Sequence, residues 1–423
     1  MVDADGKIVA PAGMEKGYSI TPMRILHVVT AFPRTPDDVI TPWLVELLQR
    51  LRAAGHEVEV FTSAYKGAGD QVFAGIPVHR FRYFFRRWEN LTHEETAPDR
   101  MRRSLLYRLM PFWFVSAGMI AIWRLARRRS YDVIHVHWPL PLALFGWAAQ
   151  RARRARPTPI VTTFYGVELR WVKSALKPLK RFIAWAARRS ARVVAISSYT
   201  AAELQELVDV PVDVIPYTAA LPAPESRTRT AGGGGVPTVL FVGRLVERKG
   251  VTHLIEAVAR LRERSLRLEV VGDGPERPRL EALAHSRGVA DRVMFRGKIS
   301  DAELRRAYAA ADVFVLPSVL DARGDTEGLG VVLLEAMNYA VPVIASRIGG
   351  IVDIVADGET GLLVPPGDET ALASALERVL SDPALARRLG EAGRERLAER
   401  FNWDAITARW DAVYRSLARS REG

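Results

Sequence analysis

The strongest constraint on this chain is an alternation, kept up almost from end to end, of short β-branched runs with longer amphipathic runs. In the first half the candidate strands are 24–30, 57–62, 133–137, 160–164, 192–196 and 212–215, with helix-length segments such as 41–54 and 201–207 between them. The second half repeats the pattern with strands at 238–242, 267–271, 292–295, 313–316 and 341–345. Strands separated by helix-length crossovers are the signature of βαβ units, because parallel strands cannot be joined by a tight turn. Each half therefore predicts a doubly wound, mostly parallel α/β sheet, Rossmann-like in architecture.

The length of 423 residues suits two or three domains. Their boundary falls at 222–236, which holds Pro222, Pro224 and the four glycines 232–235. Glycine-rich anion sites lead from a strand into a helix, whereas this tract precedes a strand, so it predicts a linker rather than a phosphate loop. The expected division is a leader (1–22), an N-terminal domain (23–221), the linker (222–236), a C-terminal domain (237–400) and a terminal helix (401–423). Residues 382–419 read as two or three helices without an intervening strand, packing outside the second sheet or crossing back to the first domain.

Composition narrows the function classes. With no cysteine, neither a disulfide framework nor a thiolate metal site can form. Hydrophobic residues at 48% and charged residues at 26% exclude collagen-like, disordered and multi-span membrane classes. The opening residues carry Asp3, Asp5 and Glu15 and no apolar core, unlike a secretory signal, so a cytoplasmic location is expected. No phosphate loop occurs, Gly272-Asp273-Gly274 is only half of a dinucleotide fingerprint, and no nucleic acid is expected as a partner.

The net charge of +12 is unevenly placed. Residues 1–222 carry 31 basic and 19 acidic side chains, and residues 223–423 carry 29 of each. Much of the excess lies within 80–129, where Arg86, Arg87, Arg102, Arg103, Arg108 and arginines 127–129 surround Tyr83, Phe84, Phe85, Trp88, Trp113 and Trp123. This mixture suits an anionic lipid surface, and the alternative is arginine decorating solvated helix faces. The apolar stretch 109–123 contains Pro111 and is too short to span a bilayer, which predicts a core or interfacial helix.

In open α/β sheets ligands collect beyond the carboxyl ends of the strands. Two such junctions carry suitable chemistry. At the first, a strand ends in Gly243-Arg244 and Lys249-Gly250 opens the next helix, offering two cations and close backbone approach to a diphosphate. At the second, Asp325-Thr326-Glu327-Gly328-Leu329-Gly330 enters a helix whose N-terminus favours an anion. Glu327 and Glu335, eight residues apart, can accept hydrogen bonds from separate hydroxyls of one ligand. Glu335 lies in an apolar run where a purely solvated carboxylate is unexpected.

The run from Glu327 through Glu335-Ala336-Met337, followed by Val341-Pro342-Val343 and Gly349-Gly350, resembles the E-x7-E region of the family 4 retaining glycosyltransferases. Gly243-Arg244-Leu245, Lys249-Gly250, Gly272-Asp273-Gly274-Pro275, Phe295-Arg296-Gly297 and Asp357-Gly358 occur in that family's order. The resemblance implies the GT-B fold, in which two Rossmann-like domains face a cleft. By resemblance, Glu327 holds hydroxyls of the donor hexose, Glu335 the ribose, and Arg244 and Lys249 the diphosphate. Gly243, Gly272 and the backbone of Gly328, Leu329 and Gly330 belong to the donor site, and Lys298 and Ile299 flank the base. The loop around Gly324-Asp325-Thr326-Glu327 is similar to members acting on bacterial exopolysaccharide and envelope glycans.

The first half resembles the family more loosely. Its segment Thr162-Thr163-Phe164-Tyr165-Gly166-Val167-Glu168 carries Tyr165 where the family has histidine, and an acid at Glu168 as the family commonly has. Both are expected at the catalytic site, Tyr165 as a hydrogen-bond donor. The loop Phe32-Pro33-Arg34-Thr35 replaces the family's glycine-bearing loop, which alters the acceptor geometry. His135 and His137 share a strand face, but no third ligand is apparent beside them, so no metal site is expected.

The resemblance thus implies a retaining hexosyltransferase that needs no metal or other cofactor in its chemical step. It implies a nucleoside diphosphate sugar as donor and a glycan or lipid-linked glycan as acceptor, reached from the cytoplasmic face of the membrane. The competing expectations are a nucleotide-sugar epimerase of the same fold and a catalytically silent partner protein that binds nucleotide sugar or membrane.

Overall fold

The computed structural model describes residues 22–35, 38, 40–91, 100, 104–153, 157–174, 176–219 and 235–419. The expected leader up to residue 21, most of the linker, and Arg102 and Arg103 lie outside these residues.

The N-terminal sheet has eight strands in the order β3-β4-β2-β1-β5-β6-β7-β8. They are β1 (Arg24–Val28), β2 (Glu57–Ser63), β3 (Gln71–Phe73), β4 (Ile76–Phe81), β5 (Val133–His137), β6 (Ile160–Phe164), β7 (Arg192–Ala195) and β8 (Asp213–Val214). Every pairing is parallel except β3 with β4. The C-terminal sheet is wholly parallel, in the order β11-β10-β9-β12-β13-β14. It comprises β9 (Thr238–Val242), β10 (Arg267–Val271), β11 (Val293–Gly297), β12 (Val313–Leu316), β13 (Val343–Ser346) and β14 (Leu362–Val364). The central strands β1, β5, β9 and β12 are buried almost throughout, as parallel strands covered by helices on both faces must be.

Strands β3, β4 and β14 were not expected. β4 interrupts its apolar residues with Pro77, His79 and Arg80, and β3 and β14 have only three residues each, too few to show a period. The expected strand 341–345 begins instead at Val343, one residue beyond Pro342. The helix expected at 201–207 runs from Ser198 to Gln205, because the Ser197 hydroxyl accepts from the Thr200 N–H and caps its start.

The helices are α1 (Pro42–Ala53), α2 (Leu105–Arg128), α3 (Pro139–Arg151), α4 (Val167–Ser174), α5 (Lys180–Arg189), α6 (Ser198–Gln205) and α7 (Val251–Arg260). They continue with α8 (Arg277–Ser286), α9 (Asp301–Ala310), α10 (Val331–Asn338), α11 (Ile351–Ile354), α12 (Glu369–Ser381), α13 (Pro383–Arg400) and α14 (Trp403–Arg419). Helix α2 is longer than the expected 109–123 stretch. It carries on through Pro111 to 24 residues and, by length and composition alone, could cross a membrane.

The two alternatives for the C-terminus divide between its two helices. α13 packs outside the second sheet through Leu385, Ala386 and Leu389, with Gly390 against the Ala340 carbonyl. α14 crosses back and puts Ile406, Trp410, Tyr414 and Leu417 into the N-terminal core beside α1 and β1. Trp403 Nε1 donates to the Ala219 carbonyl at 3.0 Å, and Arg50 meets Asp404 at 2.9 Å. The last helix thus ties the two domains together.

Candidate active site in the interdomain cleft

The carboxyl ends of the two sheets face each other, and the junctions picked out by the sequence meet there. After β9 the chain passes Gly243 and the exposed Arg244, makes a short 3-10 turn at Glu247–Lys249, and enters α7 through Gly250. Gly250 has φ 65°, and a Cβ there would lie 1.9 Å from the Pro317 carbonyl oxygen, so only glycine lets this turn pass beneath the end of β12. The turn buries Lys249 and aims its ammonium at Glu327 Oε2, with which it pairs. Gly272 lies so close to Gly243 that a Cβ on it would come within 2.0 Å of the Gly243 carbonyl oxygen.

The loop after β12 brings Asp325 and Glu327 to the cleft and hands over at Gly330 to α10. Its backbone rests on the Gly349-Gly350 turn, where the Gly350 N–H donates to the Glu327 carbonyl at 3.0 Å. Burial would raise the Glu327 carboxyl, but Lys249 and Arg248 outweigh it and hold the pKa below the usual value. Arg248, which sequence reasoning passed over, lies 3.5 Å from both Asp325 and Glu327. Its only sequence signal is its place in the run Glu247-Arg248-Lys249.

Glu335 sits one turn further along α10. The hydroxyl of the fully buried Tyr308 donates to its Oε2 at 2.7 Å. Burial raises the Glu335 carboxyl, the Tyr308 bond opposes this, and Lys249 is near enough to pull the same way as Tyr308. Lys249 thus pairs with Glu327 and also acts electrostatically on Glu335. Leu329 turns its side chain into the core and offers only backbone, and Gly328 brings the loop against the N-terminal domain. At the end of β11, Lys298 is exposed and Ile299 half-buried, on the same edge of the sheet but two strands from β9.

The N-terminal domain supplies the opposite wall. A Cβ at Gly328 would stand 3.2 Å from the Tyr165 carbonyl oxygen, so the two backbones nearly touch. Tyr165 itself does not point its hydroxyl at the cleft as expected. The hydroxyl meets His137 Nδ1 at 2.7 Å inside the domain, while the ring stacks on Trp138 at 4.2 Å and lies 5.4 Å from Trp43. Trp43 stacks in turn on Tyr217 at 4.5 Å. This aromatic wall comes from residues just past strand ends or at helix starts, and Trp138 has the left-handed φ of 53°, a strain that tends to gather at functional sites. Glu168 is fully buried. Its Oε1 accepts the Tyr165 N–H at 2.8 Å, and burial, only partly offset by backbone hydrogen bonds, pushes its pKa up to about 7. It braces the β6–α4 turn.

Two contacts join the walls directly. Arg170 of α4 reaches across to Asp325, and Ser198 at the start of α6 donates through N–H and hydroxyl to Asp353 at 2.6 and 2.5 Å. Neither was anticipated, since partners 155 residues apart leave no local spacing to read.

The histidine pair gains a third member that the sequence did not reveal. His27 of β1 joins His135 and His137, with ring nitrogens of all three within 4.8 Å of one another. Three imidazoles at this spacing could in principle bind a metal, but their nitrogens are already engaged. His135 meets Tyr414 and Thr163, each at 2.8 Å, and His137 meets His27 at 3.0 Å and Tyr165. Of the ring nitrogens of these three histidines only His27 Nε2 lacks a partner among the described residues. Burial depresses all three pKa values, that of His137 to about 3, so the cluster is a neutral hydrogen-bonded core.

Two family models match in tandem. Residues 42–217 match the Glycosyltransferase Family 4 model and residues 224–396 the Glycosyl transferases group 1 model. A GDP-mannose-dependent α-(1-6)-phosphatidylinositol monomannoside mannosyltransferase of Mycolicibacterium smegmatis is 37% identical over 84% of this chain and 89% of its own length. The solved sucrose-phosphate synthase of Thermosynechococcus elongatus superposes with a TM-score of 0.72 at 28% identity, covering 94% of this chain and 100% of that one. The Anabaena protein HepE, solved with UDP-glucose, shares the fold with a TM-score of 0.67 at 20% identity over 93% of this chain and 100% of that one.

Proposed function

The chain belongs to the group 1, family 4 glycosyltransferases of GT-B fold, and we propose that it is a retaining hexosyltransferase working on a glycan or lipid-linked glycan at the inner membrane surface. The observation that carries this reading is the pairing of Lys249 and Arg248 with Glu327 at the cleft, with the exposed Arg244 at the same junction after β9 and Glu335 held by Tyr308. The relative named for GDP-mannose and phosphatidylinositol mannoside and the neighbour solved with UDP-glucose support a nucleoside diphosphate sugar as donor.

In this reading the bond from the anomeric carbon to the diphosphate oxygen breaks, and the nucleoside diphosphate leaves with the electron pair. The acceptor hydroxyl attacks from the same face and passes its proton to the departing phosphate oxygen. Charge grows on the diphosphate, so preorganised cations and the N–H groups at the start of α10 stabilise the transition state most directly. Arg244, Arg248 and Lys249 meet that charge without a metal ion. Glu327, oriented by Lys249, receives the sugar hydroxyls, and Glu335 the ribose.

Calorimetry on two variants tests the assignment. Glu335→Ala should weaken binding of the nucleoside diphosphate itself, whereas Glu327→Ala should leave that binding near wild type and cut turnover of the sugar donor. Equal loss of nucleoside diphosphate affinity in both would overturn the division of roles.

A further inference from the structure

Helix α2 is apolar on two opposite sides. Met110, Phe114, Gly118, Ile122 and Ala126 recur every four residues and pack inward, with Gly118 so close to Phe145 of α3 that a Cβ would meet the ring at 2.2 Å. At 100° per residue, Leu105, Leu109, Phe112, Trp113, Ile120 and Trp123 centre on the opposite side of the helix. There they stay exposed among the described residues: Leu109 is 61% exposed, Phe112 68% and Trp113 52%. One bare face of a helix about 36 Å long thus carries leucine, phenylalanine, tryptophan and isoleucine.

The flanking charge is of one sign. Arg108, Arg124 and Arg127 through Arg129 are exposed along or just beyond the helix, and no acidic residue occurs between Arg100 and Tyr131. Arg127 lies over the Trp123 ring at 4.8 Å. The turn with Phe85, Arg86 and Arg87, all exposed, adjoins the helix start, since Trp88 meets Tyr107 at 6.3 Å and Tyr107 donates to Asn90 at 3.1 Å. A second copy of the chain would bring arginines against arginines across a two-fold axis. An anionic bilayer offers acyl chains to the apolar side and phosphates to the arginines, the arrangement of an interfacial helix. The packed inner side prevents the helix from leaving the domain to cross the membrane on its own.

We propose that α2 lies in the plane of an anionic bilayer with its Leu109, Phe112 and Trp113 side inserted and its arginines in the headgroup layer. This deepens the membrane-surface part of the proposed function and rests on it. The topology gives the contact a use. α2 leads from the carboxyl end of β4 to the start of β5, so its N-terminal half lies at the cleft end of the sheet, where a lipid-linked acceptor would enter.

Co-sedimentation of the full chain with vesicles of phosphatidylglycerol and phosphatidylcholine, against phosphatidylcholine alone, tests it. The wild type should prefer the anionic vesicles and keep part of its binding at about 0.5 M salt, where screening removes purely electrostatic adsorption. The combined Leu109→Ser, Phe112→Ser and Trp113→Ser variant should lose at least tenfold in vesicle affinity and all of the salt-resistant fraction. Stabilisation by a nucleoside diphosphate should be unchanged in it, showing that it folds. Arg124→Gln with Arg127→Gln should reduce only the preference for anionic lipid. Vesicle binding by the serine variant equal to wild type, or none by the wild type, overturns the proposal. So does a wild-type dimer that the serine variant turns into a monomer, because the face then belongs to a second copy. If vesicles bind as expected but no nucleoside diphosphate stabilises the chain, the transferase reading fails and the membrane contact stands.

Discussion

At the scale of single residues, the cleft concentrates cations where a leaving diphosphate would gather charge, and each should count in the rate. Arg244→Ala or Lys249→Ala should lower turnover more than tenfold, that is by at least about 1.4 kcal/mol of transition-state stabilisation. Steady-state rates near wild type in either variant would remove that residue from the chemistry. Arg170 acts one step back. Its ion pair with Asp325 spans the cleft and holds the loop that carries Glu327, which makes it a positioning residue. Arg170→Gln should lower kcat several-fold with little change in donor KM, and Arg170→Lys should recover part of the loss. A change confined to thermal stability would mean that the pair is merely structural. The donor-side residues could be read because they cluster at two strand-to-helix junctions, after β9 and after β12. Arg170, Arg248 and Tyr308 could not, since their roles come from partners brought in by the fold.

At the scale of elements, the strands β1 and β5 pay for their buried histidines through pH. The three imidazoles are neutral in the folded protein and their pKa values lie below the ordinary 6.5. As pH falls through 6.5 the unfolded chain takes up protons that the folded chain refuses, so their stabilising share is full above that value and is lost below it. The urea midpoint should therefore drop steadily as pH is lowered from about 6.5 toward 5. His27→Asn, whose amide can still reach His137, should make that dependence shallower, and an unchanged slope would mean that other groups govern it. The alternation of runs revealed the buried strands because both faces of a parallel sheet are apolar. It missed β3 and β14, whose three residues are too few for a period, and β4, whose apolar residues are interrupted by Pro77, His79 and Arg80. It also read α2 as the apolar stretch 109–123 alone, because the arginines and polar residues toward its ends hid the remaining turns, and the Pro111 within it removes little from a helix anchored by Phe114, Gly118 and Ile122.

At the scale of the whole molecule, two sheets, a crossing α14 and the Arg170–Asp325 and Ser198–Asp353 contacts build one cleft with charge on one wall and aromatic rings on the other. The division into two Rossmann-like halves was legible because each repeats the same βαβ grammar. The aromatic wall was not, because Trp43, Trp138, Tyr165 and Tyr217 are scattered along the chain and meet only at strand ends. The central claim, a retaining transfer from a nucleoside diphosphate sugar, is tested most directly by following the anomeric proton. The chain is incubated with an α-linked nucleoside diphosphate hexose and a lipid extract as acceptor in the presence of chelator, and the reaction is watched by NMR. The account predicts release of nucleoside diphosphate and a new glycoside with the same α configuration. A β-linked product, a free altered sugar nucleotide with no glycoside, or a reaction that proceeds only when a divalent metal is restored would contradict it.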